Sequence, residues 1–161
     1  MKGKPEVLAE LNAALGSELL AIVQYIVHSE MCSNWGYKKY GGYIKKQAID
    51  EMHHADGLIE RILFLDGIPE VSIALKPHIG ADVKKQIEND LAEEVSAVKQ
   101  YNNAVEVCRK AGDNASRELF ERMTKDEEEH TDFLEAQLTM IAEVGLANFL
   151  SQQIHEGESK A

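Results

Sequence analysis

The chain is poor in cysteine, proline and basic residues: of 161 residues, two are Cys, three are Pro and 17 are Lys or Arg, against 28 acids. Each scarcity excludes something. Cys32 and Cys108 form no C-x-x-C pair and suggest no disulfide framework. A formal net charge of −11 argues against a nucleic-acid partner, whose phosphates need clustered Lys and Arg. It suits attraction of cations, but an acid surplus is also an ordinary solubility device. No apolar run approaches the roughly 20 residues that cross a bilayer, and Met1-Lys2-Gly3-Lys4-Pro5 opens no signal-peptide hydrophobic region. A cytoplasmic protein with no membrane partner is therefore expected. What remains is a globular composition, 44% hydrophobic and 28% charged, with length enough for one core. A single domain over 1–161 is expected.

Helical periodicity dominates. A first helix is predicted from about Pro5 to Trp35, with apolar residues at Leu8, Leu11, Leu15, Ile22 and Tyr25. Gly36 and Gly41-Gly42 precede a second, from about Tyr43 to Leu65, which Asp66-Gly67 and Pro69 stop. A third runs from about Asp82 to Lys110, and a fourth from Asn114, read as its N-cap, to Val144. Leu146, Phe149, Leu150 and Ile154 predict a short fifth helix over about 146–155. Four long helices without a strand signal make an all-α four-helix bundle over about 5–144. A second helix of about 24 residues is about 36 Å long. The stretch from Asp66 to Gly80 can extend about 46–50 Å, enough for one long crossover back along the bundle.

The two halves match at a fixed offset of 76 residues. Leu11, Leu15, Glu18, Ile22, Tyr25 and Cys32 correspond to Ile87, Leu91, Glu94, Val98, Tyr101 and Cys108. Glu51, His54, Leu58, Ile62 and Leu65 correspond to Glu127, His130, Leu134, Leu138 and Ile141. Two similar hairpins would meet about an approximate two-fold axis, so residues kept in both halves near it would meet their counterparts.

Glu18 and Glu94 sit in the middle of apolar stripes facing the core, as do Glu51 and Glu127 in theirs. Four buried carboxylates cannot all stay ionised unaided; they must protonate, pair with a cationic side chain or bind a cation. No Lys or Arg lies on these stripes. His54 and His130, each three residues after a glutamate, share its face and supply nitrogen. Two Glu-x-x-His pairs plus a glutamate from each of two other helices is a dinuclear carboxylate pattern, suited to iron or manganese rather than calcium or structural zinc. One Glu-x-x-His alone is weak and usually marks a solvated face; the signal is six ligand-type residues on stripes, repeated at one offset.

Along nearly its whole length the chain resembles the bacterioferritins. The resemblance is carried by Glu18-Leu19-Leu20-Ala21-Ile22 with Gln24-Tyr25, by Asn34-Trp35-Gly36, and by Ile49-Asp50-Glu51-Met52-His53-His54-Ala55-Asp56. Ile59-Glu60-Arg61-Ile62-Leu63 and Asp126-Glu127-Glu128-Glu129-His130 complete it. It implies a ferritin-like fold and a ferroxidase centre of Glu18, Glu51, His54, Glu94, Glu127 and His130, with Glu51 and Glu127 bridging two irons. It implies oxidation of Fe(II) by dioxygen or hydrogen peroxide, iron storage in a hollow homo-oligomeric shell of roughly 24 subunits built from two-fold dimers, and a ferredoxin-like reductant. Tyr25 reads either as a donor of a hydrogen bond or an electron to that centre or as an ordinary core tyrosine, and Tyr101 shares both readings.

Met52 breaks the repeat, since its counterpart is Glu128, and it is turned about 100° from Glu51. Leu19, Val23 and Ile26 on the first helix and Ile49, Met52, Ile59 and Leu63 on the second make another apolar stripe, which should meet a second subunit. A plain apolar dimer face would explain it; the resemblance implies haem b, or a related porphyrin, with Met52 of each subunit as axial ligand. Lys45-Lys46-Gln47 stands where some bacterioferritins carry inner-surface iron ligands, leaving only Asp50. Free thiols are expected at Cys32 and Cys108, surface or interface positions for His28, His53, His78 and His155, and packing of the fifth helix on neighbouring subunits. Two other readings are a dinuclear oxidase or peroxidase of the rubrerythrin or manganese-catalase kind, and a shell or haem scaffold with a vestigial centre. Rubrerythrins usually add paired C-x-x-C ligands, which this chain lacks.

Overall fold

The computed structural model describes residues 1–72 and 76–155; residues 73–75 of the expected crossover and the end of the expected 1–161 domain lie outside them. The elements are α1 (Pro5–Asn34), α2 (Lys38–Phe64), α3 (Val83–Ala111), α4 (Asn114–Val144) and α5 (Leu146–Ser151), with no strand among the described residues. Proline opens α1 at a position where its missing N–H costs nothing. Gly36 (φ 92°) ends it: the Gly36 and Tyr37 amides donate to the Ser33 and Cys32 carbonyls. The other half repeats the device 76 residues later, where Gly112 (φ 73°) and Asp113 donate to Arg109 and Cys108.

Three element boundaries depart from expectation. Helix α2 starts at Lys38 and takes Gly41-Gly42 inside it. Gly41 is there for closeness: a Cβ on it would lie 3.0 Å from the Ser29 carbonyl and 3.3 Å from Cys32 Cβ, so α1 and α2 meet backbone to backbone. The cap of α4 is Asp113, not Asn114; its carboxylate accepts from the Ser116 amide at 3.0 Å and takes an ion pair from Arg61 at 2.7 Å. Helix α5 ends at Ser151, and Phe149 is buried in its own bundle beside Leu150, so its packing is not left to neighbours alone. The Gln153 carbonyl ties that turn to the start of α2 by accepting from the Lys39 amide.

The crossover climbs α1. Asn12 holds Ile68 and Glu70, Gln24 accepts from the His78 amide, and His28 accepts from the Gly80 amide. It thereby returns the chain to the end where α2 began, and α3 runs antiparallel to α1: Cys32 meets Gln86, Tyr25 meets Glu94 and Glu18 meets Tyr101. Two apolar clusters fill the bundle. One holds Leu11, Leu15, Leu58, Ile62, Tyr101 and Phe120; the other holds Tyr25, Tyr40, Ile44, Ile87, Leu134 and Phe149. Fully burying each such side chain stabilises by about 1.5–3 kcal/mol, which sets the frame for the polar layer between them.

Candidate metal centre

Each long helix sends one glutamate into that layer: Glu18, Glu51, Glu94 and Glu127, none more than 3% exposed. His54 and His130, one turn beyond Glu51 and Glu127, close the ring with about a tenth of each side chain exposed. The six form two overlapping groups, Glu18, Glu51, His54 and Glu127, and Glu51, Glu94, Glu127 and His130. Within each group one ligand atom of every residue lies within 4.8 Å of the others. The two groups are images of each other under the 76-residue offset, so the structure brings together all six residues singled out from the sequence.

Glu51 and Glu127 belong to both groups by using one oxygen for each. Glu51 turns Oε2 to His54 Nδ1 (3.0 Å) and Oε1 to His130 Nδ1 (3.2 Å); Glu127 turns Oε1 to His54 Nδ1 (3.2 Å) and Oε2 to His130 Nδ1 (2.9 Å). Glu18 and Glu94 each serve one side, with Oε2 at 3.6 Å from His54 Nδ1 and at 3.7 Å from His130 Nδ1. Their other oxygens accept from phenols: Tyr25 donates to Glu94 Oε1 and Tyr101 to Glu18 Oε1. His54 is held from behind, its Nε2 lying 3.2 Å from Asp126 Oδ2.

Four buried atoms of this cage, Glu18 Oε2, Glu51 Oε1, Glu127 Oε2 and His130 Nδ1, have no aligned hydrogen bond. Three of them converge, Glu51 Oε1 and Glu127 Oε2 lying within 3.2 Å of His130 Nδ1, and Glu18 Oε2 faces His54 in the other group, so each group keeps donor atoms free for a cation. Burial pushes the Glu18 and Glu94 carboxyls well above the ordinary carboxylate range, and the Glu51 and Glu127 charges add to it. At Glu51 the two imidazoles outweigh desolvation and hold the carboxyl down at about 2; Glu127 is lowered in the same way. The imidazoles are raised against their own desolvation, His130 to about 12 and His54 in the same direction. The cage is built to hold positive charge. Mixed carboxylate and imidazole donors, four or more per position, fit a pair of iron or manganese ions.

Two openings reach the layer. A polar cavity of about 410 Å³ between α2 and α4 exposes His54 and His130 beside Asp50, His53, Arg122 and Asp126. A slot of about 50 Å³ between α1 and α3 touches Glu18, Glu94 and both tyrosines, and Ser17 Oγ donates to Gln100 Oε1 at 2.8 Å at its side. Met52 is not at this centre. It is half-exposed on the outer face of α2, near Ile49, with Val23 and Ile26 exposed on α1; Leu19 and Ile59 are partly taken up by the core. Cys32 and Cys108 are free and buried, and burial pushes their thiols up to about 12 and about 11.

One polar cluster was not foreseen. His28, expected at the surface or at an interface, is wholly buried within the bundle: its Nδ1 lies 2.8 Å from Asp90 Oδ1, which also accepts from Gln24 Nε2 at 2.8 Å. Its Nε2 accepts from Gly80, so the ring carries its proton on Nδ1 and ties the crossover to α1 and α3. Burial raises the Asp90 carboxyl, against the pull of His28. The equivalent positions in the other half are Ala14, Gln100 and Ala104, so an argument from the repeat is blind to it.

The ferritin-like domain family matches residues 8–144. The chain is 43% identical over 145 residues to a bacterioferritin of Brucella melitensis, which covers 90% of each protein. It is 40% identical over 152 residues to a bacterioferritin of Mycolicibacterium paratuberculosis, covering 94% of this chain and 96% of the relative. A bacterioferritin of Rhodobacter capsulatus is 42% identical over 149 residues, 92% of each.

Proposed function

Since the chain belongs to the bacterioferritins, we propose that it is a single-domain iron-storage ferroxidase that takes Fe(II) as substrate in the carboxylate–histidine cage. The observation that carries this reading is the split use of Glu51 and Glu127, one oxygen toward each histidine. Two metals placed there share both bridges, so a single oxidant can take one electron from each. Dioxygen receiving two electrons and two protons leaves as hydrogen peroxide, and peroxide as oxidant leaves as water. Glu18 with His54 and Glu94 with His130 hold the outer sides, and carboxylates that shift between terminal and bridging modes accommodate both oxidation states. Tyr25, donating to Glu94, stands close enough to supply a proton or an electron there.

Met52 faces outward on an apolar surface that suits a two-fold partner. Met52 of each subunit would hold haem b there, and that group would supply electron transfer from a ferredoxin-like reductant for release of stored ferric iron. The shell of roughly 24 subunits is proposed from family membership, as is a cytoplasmic setting; among the described helices none is long and apolar enough to cross a membrane. Anaerobic loading with Fe(II) followed by air tests the ferroxidase. A rapid phase should consume two Fe(II) per subunit, one for each ligand group. Glu51→Ala should lose that phase, having lost a bridge to both positions; a variant that keeps it would refute the centre.

A further inference from the structure

The two metal positions differ from their bridges in one respect: each has a single carboxylate of its own, Glu18 on one side and Glu94 on the other. A lone terminal carboxylate can turn either oxygen to a metal, or both, unless something holds it. Here each is held in the same way. Tyr101 donates to Glu18 Oε1 and leaves Oε2, which has no hydrogen-bond partner, facing His54. Tyr25 donates to Glu94 Oε1 and leaves Oε2 facing His130. The phenols are fully buried, and each ring is rooted in a different apolar cluster, Tyr101 beside Phe120 at 5.9 Å and Tyr25 among the residues around Ile44 and Ile87. A ring gripped that firmly has a hydroxyl of fixed position, so the carboxylate it engages is fixed too.

The geometry points to Tyr101 as the positioning residue of the Glu18–His54 metal position, where its phenol holds Glu18 to one metal-facing oxygen, with Tyr25 doing the same for the Glu94–His130 position. The inference rests on the two-metal reading above. Each tyrosine acts on the position across the bundle from its own helix's glutamate: Tyr101, on the helix of Glu94, serves Glu18. The consequence is selective. Removing one hydroxyl frees one terminal carboxylate and leaves both bridges and the other position as they were. Outer-shell partners of this kind are worth about 10–100-fold in metal affinity.

The test is an anaerobic Co(II) titration of the assembled protein, followed by its visible absorption, with Tyr101→Phe, Tyr25→Phe and the double variant. Phenylalanine keeps the ring in its apolar seat, and the metal-free variants are compared by thermal unfolding. In Tyr101→Phe one of the two Co(II) equivalents should weaken by about 10–100-fold while the other keeps its affinity. Crystals of that variant loaded with a single equivalent should show the ion, by anomalous scattering, at Glu94 and His130. Tyr25→Phe should give the reverse occupancy, and it reads the same prediction if Tyr101→Phe fails to assemble. Weakening of both equivalents together, or of neither, would overturn the assignment while leaving the two-metal reading intact. Failure of the wild-type protein to take up two ions would overturn both.

Discussion

At the scale of single residues, the centre is a problem of charge. Four acids in a dry layer must be balanced. In the metal-free cage two imidazolium ions offset two of them, His130 being raised to about 12 and His54 in the same direction, and burial favours the neutral form of Glu18 and Glu94. Both rings are therefore protonated at neutral pH, while Glu51, held at about 2, is charged. A metal needs the Nδ1 lone pairs, so loading must expel at least the two imidazole protons per pair of ions. Affinity should climb as pH rises through neutrality and fall in acid, where Glu18 and Glu94, both raised, take up protons as well. Calorimetric Fe(II) titration under anaerobic conditions, in buffers of different ionisation enthalpy, measures the release directly. A pH-independent affinity with no proton release contradicts this account of the cage. The six ligand-type residues were legible because each sits on an apolar stripe and returns 76 residues later. The His28–Asp90–Gln24 cluster was not, because it serves the crossover, which occurs once.

Among the elements, repetition again decides what could be read. The stops at Gly36 and Gly112 are copies, and both were legible. Gly41-Gly42 was misread as a boundary because glycine in a sequence marks a turn and a close helix contact alike. The two glycines separate those meanings. Gly41 lies against the Ser29 carbonyl and Cys32, whereas a Cβ on Gly42 meets nothing within 4 Å. Gly42→Ala should stabilise by about 0.5–1 kcal/mol through helix propensity alone. Gly41→Ala gains the same propensity but forces α1 and α2 apart, and overpacking of this kind costs about 1–3 kcal/mol, so it should lower stability. Thermal unfolding of the two single variants decides; equal effects of the same sign contradict the close approach. The start of α4 was off by one residue because Asn114 and Asp113 are both good caps; Asp113 takes the role by accepting from the Ser116 amide and hydroxyl, and the Arg61 ion pair, a tertiary contact, adds to it.

On the whole-molecule scale, the bundle spends one apolar surface on its own core and leaves another outside. Met52, Ile49, Val23 and Ile26 are each more than a third exposed on adjacent helices, more than a lone chain in water has reason to show. In the proposed two-fold dimer a partner would cover them and bring the two methionines together. Met52→Leu keeps the face apolar and removes the sulfur ligands, so it should abolish the haem absorption bands while leaving dimer assembly and Fe(II) oxidation unchanged. Haem retained at the wild-type level in that variant, or no haem in the wild-type protein, contradicts the axial role. Of the stripe expected from the sequence, Val23, Ile26, Ile49, Met52 and Leu63 are exposed while Leu19 and Ile59 pack partly on the core. The sequence could not say that Phe149 of α5 would fold back into its own bundle, because that depends on where the chain lies after Gly145.

All of this rests on a cage that holds two cations between shared carboxylates, and crystals grown with Mn(II) or Fe(II) under anaerobic conditions address it directly. Anomalous scattering should locate two ions in each subunit about 3.5–4 Å apart, bridged by Glu51 and Glu127. A single ion, or none within the bundle, would contradict it.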